Sequence, residues 1–252
     1  MTEALLETRG ISKHFGALLA TNDVSFRLEE GARHALIGPN GAGKTTFVNL
    51  LTGVIPPSSG AVLLKGRDIT RVAQAERVKL GIARTFQINR LFRGLSVLEN
   101  VYLPVAERVG AATSMRTPAG LRRDVVDEAM HLLQTLRLAD DAQRRISELP
   151  YGRQRLVELA IALGLRPEVL LLDEPAAGVP SAESHIILDA LDALPAHIGV
   201  LIIDHDMDLV FRFATRITVL VNGAVFASGA PREIGADPQV RAVYLGQTPR
   251  GS

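Results

Sequence analysis

Residues 38–46 read GPNGAGKTT and contain the spacing G-x-x-x-x-G-K-S/T. Those residue types suit the binding of a polyphosphate. Gly38, Gly41 and Gly43 let the backbone turn tightly and approach an anion. The loop they form with Pro39, Asn40 and Ala42 can then turn successive N–H groups, and the start of a helix, toward phosphate oxygens. Lys44 adds a positive charge at the β/γ-phosphates, and the Thr45 hydroxyl, followed by Thr46, is placed to ligate Mg2+. A glycine-rich turn with a solvated lysine is the competing reading, and the flanking elements decide against it.

VLLLDEP at residues 169–175 sets two adjacent carboxylates at the end of an apolar run, where a buried parallel strand would surface. Successive strand residues point opposite ways, so Asp173 is expected to face a Mg2+ shell and Glu174 the water that attacks a γ-phosphate. LIIDHD at residues 201–206 repeats the arrangement, with His205 as candidate γ-phosphate contact and orienter of that water. Taken alone, Asp-Glu-Pro reads as a solvated strand end and His205 as a structural histidine. A phosphate loop in the same chain changes both readings.

These residues need elements to hold them. His34 to Ile37 reads as a buried strand entering the loop, and Thr45 to Thr52 as the helix leaving it, closed by Gly53 and Pro56. Asp23 to Leu28 and Ala61 to Leu64, bounded by Gly31, Gly60 and Gly66, suggest a small β-rich N-terminal lobe. From Ser96 to about Leu165 strand signals fade, and Leu121 to Leu136 carries apolar residues at helical spacing, so a helical insertion is expected. Strands return at Val169 to Asp173, Val200 to Ile203 and Arg216 to Val221, with helices expected over Ala182 to Leu194 and Met207 to Ala214. A short helix at Val240 to Leu245 and a frayed tail over residues 247–252 complete the pattern. The fold class is α/β with a largely parallel sheet.

Composition narrows the function. Among 252 residues, 28 Lys and Arg face 27 Asp and Glu, and a net charge of +1 gives no electrostatic footprint for nucleic acid. The absence of cysteine excludes disulfides and thiolate metal sites. No apolar run approaches the roughly 20 residues that span a bilayer. The first residues, MTEALLETRG, do not form a secretory signal, so a cytoplasmic location is expected. A mean hydropathy of +0.17 suits a subunit that hides surface against a partner.

Together the motifs resemble the ATP-binding subunits of ABC transporters, in that family's order from Phe15 to His205. The resemblance implies a P-loop ABC-type nucleotide-binding domain over residues 1–252, with a RecA-like core, an N-terminal antiparallel β lobe and a helical lobe near residues 96–165. It implies ATP and Mg2+ as ligands, Phe15 stacked on adenine, and Gln87 in RTFQ as a Mg2+-sensing residue that also meets the membrane subunit. Lys44, Gln87, Glu174 and His205 become the catalytic set, and Thr45, Gln87 and Asp173 the metal set. Tyr151, Gly152 and Gln154, within Leu149 to Gln154, match the signature that meets the nucleotide of a second ATPase subunit.

Two segments depart from the pattern. Pro150 stands where the signature carries a serine, and offers neither hydroxyl nor N–H. Pro180 and Ser181, in AAGVPSAES, replace an expected asparagine and proline. Both changes fall on partner-facing segments, which suggests two unequal ATP sites in a pair of related chains. RTFQINRLFRGLSVLENV, DHDMDLV and AVYLG resemble the branched-chain amino acid importer subgroup. That resemblance implies two membrane permeases, an indirectly coupled extracytoplasmic solute-binding protein, and a peripheral position on the cytoplasmic face of the membrane. Alternatives are an importer of urea, amides or aromatic acids, an exporter subunit, or an ATP-binding regulatory module with impaired hydrolysis. Soluble ABC ATPases of translation or DNA repair usually carry two cassettes or a long coiled coil, and neither fits this chain.

Overall fold

A computed structural model describes residues 4–85, 91–111, 122–180 and 184–244. The chain begins with β1 (Leu6–Phe15), β2 (Leu18–Leu28), β3 (Arg33–Ile37), α1 (Lys44–Thr52), β4 (Ser59–Leu64), β5 (Arg67–Asp68) and α2 (Gln74–Lys79). It continues through β6 (Ile82–Arg84), α3 (Val97–Arg108), α4 (Arg123–Thr135), α5 (Tyr151–Gly164), β7 (Val169–Asp173) and α6 (Ser184–Asp192). It ends with β8 (Gly199–Ile203), α7 (Met207–Phe213), β9 (Arg216–Val221), β10 (Ala224–Gly229), α8 (Pro231–Ala236) and α9 (Pro238–Tyr244). Two compact units divide these elements, Met1–Arg77 with Ala196–Ser252, and Val78–Pro195.

The first unit holds two sheets. β1 lies between β2 and β4 in an antiparallel sheet of order β2-β1-β4-β5. In the second, β3 pairs in parallel with β8 on one side and β9 on the other, and β10 closes on β9 as an antiparallel hairpin. Every residue of β8 and all of β3 after Arg33 are buried, and β8 reads as a continuous apolar run, as a strand covered on both faces does. Phe47, Val48, Leu50 and Leu51 of α1 are fully buried. The Phe47 ring meets Phe26 edge-on at 5.6 Å, fixing the helix that follows the glycine loop.

A buried arginine locks the far end of that helix. Arg77, 1% exposed, donates to the carbonyls of Leu50, Leu51, Ile69, Thr70 and Val72. Leu50 and Leu51 lie in the last turn of α1, whose carbonyls have no helical partner, so the guanidinium acts as a C-terminal cap. Burial lowers its pKa to about 10, still well above neutrality.

In the second unit, β6 and β7 form a parallel pair with Arg84 beside Leu171. Between residues 97 and 164 the described residues form α3, α4, α5 and two short 3-10 turns, with one isolated bridge from Ser96 to Arg145. Ser96 and Glu99 build a reciprocal cap on α3, and Asn100 ties the preceding turn to it through Phe92 and Ser96. Asp141, 5% exposed, is held by Arg144 and Arg153. The unit also contains β6, β7 and α6, so it is broader than the helical stretch read from sequence.

Most expected elements recur with shifts of a residue or two; the tail at 247–252 lies outside the described residues. β2 begins five residues before the expected Asp23, and the strands β1, β5, β6 and β10 have no counterpart among the expected elements.

Candidate functional site

The glycine loop leads from β3 into α1, in the first unit. Gly43 has φ +95 and caps α1, and a Cβ there would lie 2.4 Å from the Ala20 carbonyl oxygen. Gly41 has φ +79 but faces open space, with nothing within 4 Å of a Cβ. Gly43 is thus required by packing as well as by its φ, and Gly41 by its φ, with open space beside it. Gly223, in the β9–β10 turn, braces the loop by donating its N–H to Ala42 O at 3.0 Å, while its carbonyl accepts from Asn22 at 2.8 Å.

The loop fits a polyanion. α1 starts without a side-chain cap and without an acidic residue in its first turn, so its N-terminal N–H groups and dipole are offered outward. Asn40, Gly41 and Thr45 are exposed beside it. Lys44 Nζ donates to Gly38 O at 2.6 Å and Pro39 O at 3.0 Å, so the ammonium is parked against the loop it would serve. Phe15 ends β1 with 48% of its surface exposed, and Lys13 Nζ lies 5.3 Å from its ring centre. An exposed ring suits stacking on a flat base.

His205 follows β8 in the same unit, between one carboxylate that holds its backbone and another that caps the next helix. Asp204 Oδ1 accepts the N–H of His205 at 2.7 Å and of Asp206 at 3.0 Å, while Asp206 caps α7 through Asp208 and Leu209. The imidazole is left 69% exposed, with Nδ1 at 3.7 Å from Asp204 Oδ1. Asp204 is buried, which pushes its carboxyl above the ordinary range, and Oδ2 has no hydrogen-bond partner among the described residues. Asp204, the acid that sets the His205 backbone, is not among the residues expected from sequence.

The second unit carries the acid pair and the signature segment. Asp173 is the last residue of β7 and is 5% exposed, and Arg84 donates to its Oδ2 at 2.5 Å. Glu174 lies beyond the strand with φ +47 and is half-buried. Because β7 ends at Asp173, strand alternation does not extend to Glu174; its left-handed backbone starts a turn in which its carbonyl accepts from Ala177 N–H at 3.0 Å. Glu174 thus adopts a backbone conformation uncommon for a non-glycine residue.

Pro150 is the N-cap of α5 (φ −55, ψ 151) and adds no side-chain bond; Tyr151 opens the helix. Tyr151 packs against Gly178, where a Cβ would lie 2.9 Å from the ring, and Arg155 sits over the same ring at 5.0 Å. Gly152 is buried. Gln154, 8% exposed, donates its amide to Leu149 O at 2.9 Å, so its side chain is turned back onto its own turn. Gln87 and Ser181 lie outside the described residues. The structure thus brings Phe15, residues 38–46 and His205 into one unit, and Asp173, Glu174 and residues 149–154 into the other. No cluster of three or more metal-ligating side chains occurs among the described residues. The exposed Thr45 hydroxyl and the Asp173 carboxylate are hard oxygen donors, the ligand type that Mg2+ takes beside phosphate and water.

This combination of a nucleotide-type phosphate loop, a strand-end acid pair and a separate helical segment defines an ABC-type ATPase. The chain belongs to the ABC transporter family, which matches residues 21–177, and residues 224–248 match the branched-chain amino acid ATP-binding cassette transporter family. It is 40% identical to the high-affinity branched-chain amino acid transport ATP-binding protein LivG of Salmonella typhimurium, over 98% of this chain and all of that one. The crystal structure of the ADP conformation of an ABC transporter ATP-binding cassette superposes with a TM-score of 0.85 at 32% identity, covering 98% of this chain and 100% of the other. A dimeric bacterial ABC transporter cassette matches with a TM-score of 0.75 at 25% identity, covering 90% and 99%.

Proposed function

We propose that this chain is the ATP-hydrolysing subunit of an importer for branched-chain amino acids. The observation that carries the solute class is the match of residues 224–248 to the branched-chain family, added to a relative of that name aligned end to end. The solute does not touch an ATPase subunit, so kinship is the only handle on it.

In this reading the chain is one nucleotide-binding domain with a helical lobe near residues 96–165 and a tail at 247–252. Phe15 stacks on adenine; residues 38–46 bind the phosphates, with Lys44 moving from Gly38 O and Pro39 O onto the β/γ-phosphates. Mg2+, when bound, neutralises charge on the transferring phosphoryl group, and Thr45, Asp173 and Gln87 are the residues that would hold it. Glu174 accepts the proton of the attacking water, and His205 holds that water and the γ-phosphate in line. Tyr151, Gly152 and Gln154 serve the nucleotide of a second ATPase subunit.

The partners are that second ATPase, either a related chain or a copy of this one, two membrane permeases, and through them an extracytoplasmic solute-binding protein. Among the described residues no helix is long and apolar enough to cross a membrane, so attachment to the cytoplasmic face would run through the permeases. Nucleic acid has no place in the assembly. Pro150 at the N-cap supplies no hydroxyl, which favours a pairing in which the two ATP sites are unequal.

The test is affinity purification of the tagged chain from detergent-solubilised native membranes, with mass spectrometry of what comes with it. Two permeases and a related ATPase are expected, and the companion binding protein then gives the solute class. Recovery without membrane partners would overturn the transport reading in favour of an ATP-binding regulatory module.

A further inference from the structure

Arg84 is the last residue of β6 and lies in register with Leu171 of β7. Side chains alternate along a strand, so Leu171 and Asp173 project to the same side, and Arg84 reaches the carboxylate two positions beyond its own partner. The two side chains are 11% and 5% exposed, and Nη2 meets Asp173 Oδ2 at 2.5 Å. Backbone bonds fix the register on both sides of the contact. Thr85 donates to Leu171 O at 3.0 Å, and Glu168 and Val169 donate to Gly81 O at 2.9 and 3.0 Å. Asp173 Oδ1 accepts no hydrogen bond from any described residue.

We propose that Arg84 is a positioning residue for the nucleotide-bound Mg2+: by holding Asp173 Oδ2 it fixes the carboxylate and leaves Oδ1 as the oxygen offered to the cation's water shell. The inference rests on the reading of Asp173 as the metal-facing acid. Mg2+ demands near-octahedral geometry and keeps its waters, so an acid that receives those waters must be held in one orientation. Groups that orient such acids typically change metal affinity by about 10–100-fold when removed. A planar guanidinium fixes a carboxylate plane, whereas an ammonium supplies charge without that direction. Arg84→Lys therefore restores only part of what Arg84→Gln loses.

The probe is Mn2+, counted by electron paramagnetic resonance with the purified chain saturated in ADP, alongside ADP affinity without metal. Arg84→Gln is expected to weaken Mn2+ binding about 10–100-fold, Arg84→Lys less, and both to bind metal-free ADP within about twofold of the parent chain. Asp173→Asn is the control that separates the two readings. Should Asp173→Asn lose tight Mn2+ while Arg84→Gln keeps it, the inference is wrong and the role of Asp173 stands. Should Asp173→Asn itself bind Mn2+ like the parent, the reading of Asp173 falls and the inference with it. Loss of metal-free ADP binding in both Arg84 variants would overturn the proposal by assigning Arg84 to the fold alone.

Discussion

At the scale of single residues, the phosphate loop contains its own controls. Gly43→Ala places a Cβ 2.4 Å from Ala20 O at a φ of +95, so it should destabilise the chain by about 1–3 kcal/mol, read as a lower urea midpoint, and abolish nucleotide binding with it. Gly41→Ala meets no atom within 4 Å, although its φ of +79 carries some strain. It should cost about 1 kcal/mol while weakening ATP binding disproportionately, because the methyl occupies the space a phosphate needs. Equal losses of stability in the two variants would contradict this division. Glu174→Gln keeps the side chain's size and removes the base proposed for the attacking water; ATP binding should persist, and steady-state hydrolysis should fall at least 100-fold. Unchanged turnover in that variant would remove Glu174 from the chemistry. The loop, Asp173, Glu174 and His205 were legible in the sequence because short fixed spacings carry them. Arg84 and Asp204 were not, since the first acquires its role only when β6 pairs with β7, and the second only when Ile203 ends a strand.

At the scale of elements, α1 must point its N-terminus outward while its other end is anchored, and Arg77 provides the anchor. Arg77→Met retains much of the apolar stem but removes the guanidinium from five carbonyls, of which Leu50 and Ile69 keep a backbone N–H from Gly53 and Val72 while Leu51, Thr70 and Val72 lose the donor Arg77 gave them. A loss of about 3–5 kcal/mol is expected in urea unfolding, and a loss below about 1 kcal/mol would mean that water replaces the guanidinium. The position reads as an ordinary surface arginine on a short helix, because its acceptors come from the end of α1 and from the turn at residues 69–72. The β9–β10 hairpin is a different kind of omission. Asn222 and Gly223, with φ of +50 and +80, are a two-residue turn of the type an Asn-Gly pair favours, so that signal was present in the sequence. Its consequence, the brace from Gly223 to Ala42 in the phosphate loop, depends on long-range packing that no local pattern encodes.

At the scale of the whole molecule, Pro150 at the N-cap of α5 and a buried histidine each lead to a measurable consequence. If Pro150 withholds a hydroxyl from the partner's γ-phosphate, Pro150→Ser should raise the hydrolysis rate of the self-paired chain about tenfold, a charged hydrogen bond's worth. Cooperative hydrolysis by the self-paired chain, insensitive to Pro150→Ser, would remove the case for unequal sites. His34 links stability to pH. It is 3% exposed in β3, and its Nε2 lies 2.8 Å from Thr218 Oγ1. Burial, helped by the charge of Arg216, depresses its pKa to about 4. Arg216, Arg9, Arg27, Glu7 and Glu29 surround the roughly 660 Å³ cavity that His34 lines. The unfolded chain takes up the proton near pH 6.5, well before the native state does, so His34 stabilises fully above that pH and less as pH falls toward 4. The full effect is roughly 3 kcal/mol, from about 1.4 kcal/mol for each pKa unit. Asp204 and Glu158, whose carboxyls burial pushes upward, act with the opposite sign at the acidic end, so the informative quantity is a difference between chains. Stability measured in urea from pH 7 to pH 4.5 should fall more steeply in the parent chain than in His34→Gln, which keeps a hydrogen-bonding group toward Thr218 and has no proton to gain. Parallel slopes would mean that His34 is charged in the native state despite its burial, and that the cavity, with its glutamates and solvent, stabilises the imidazolium.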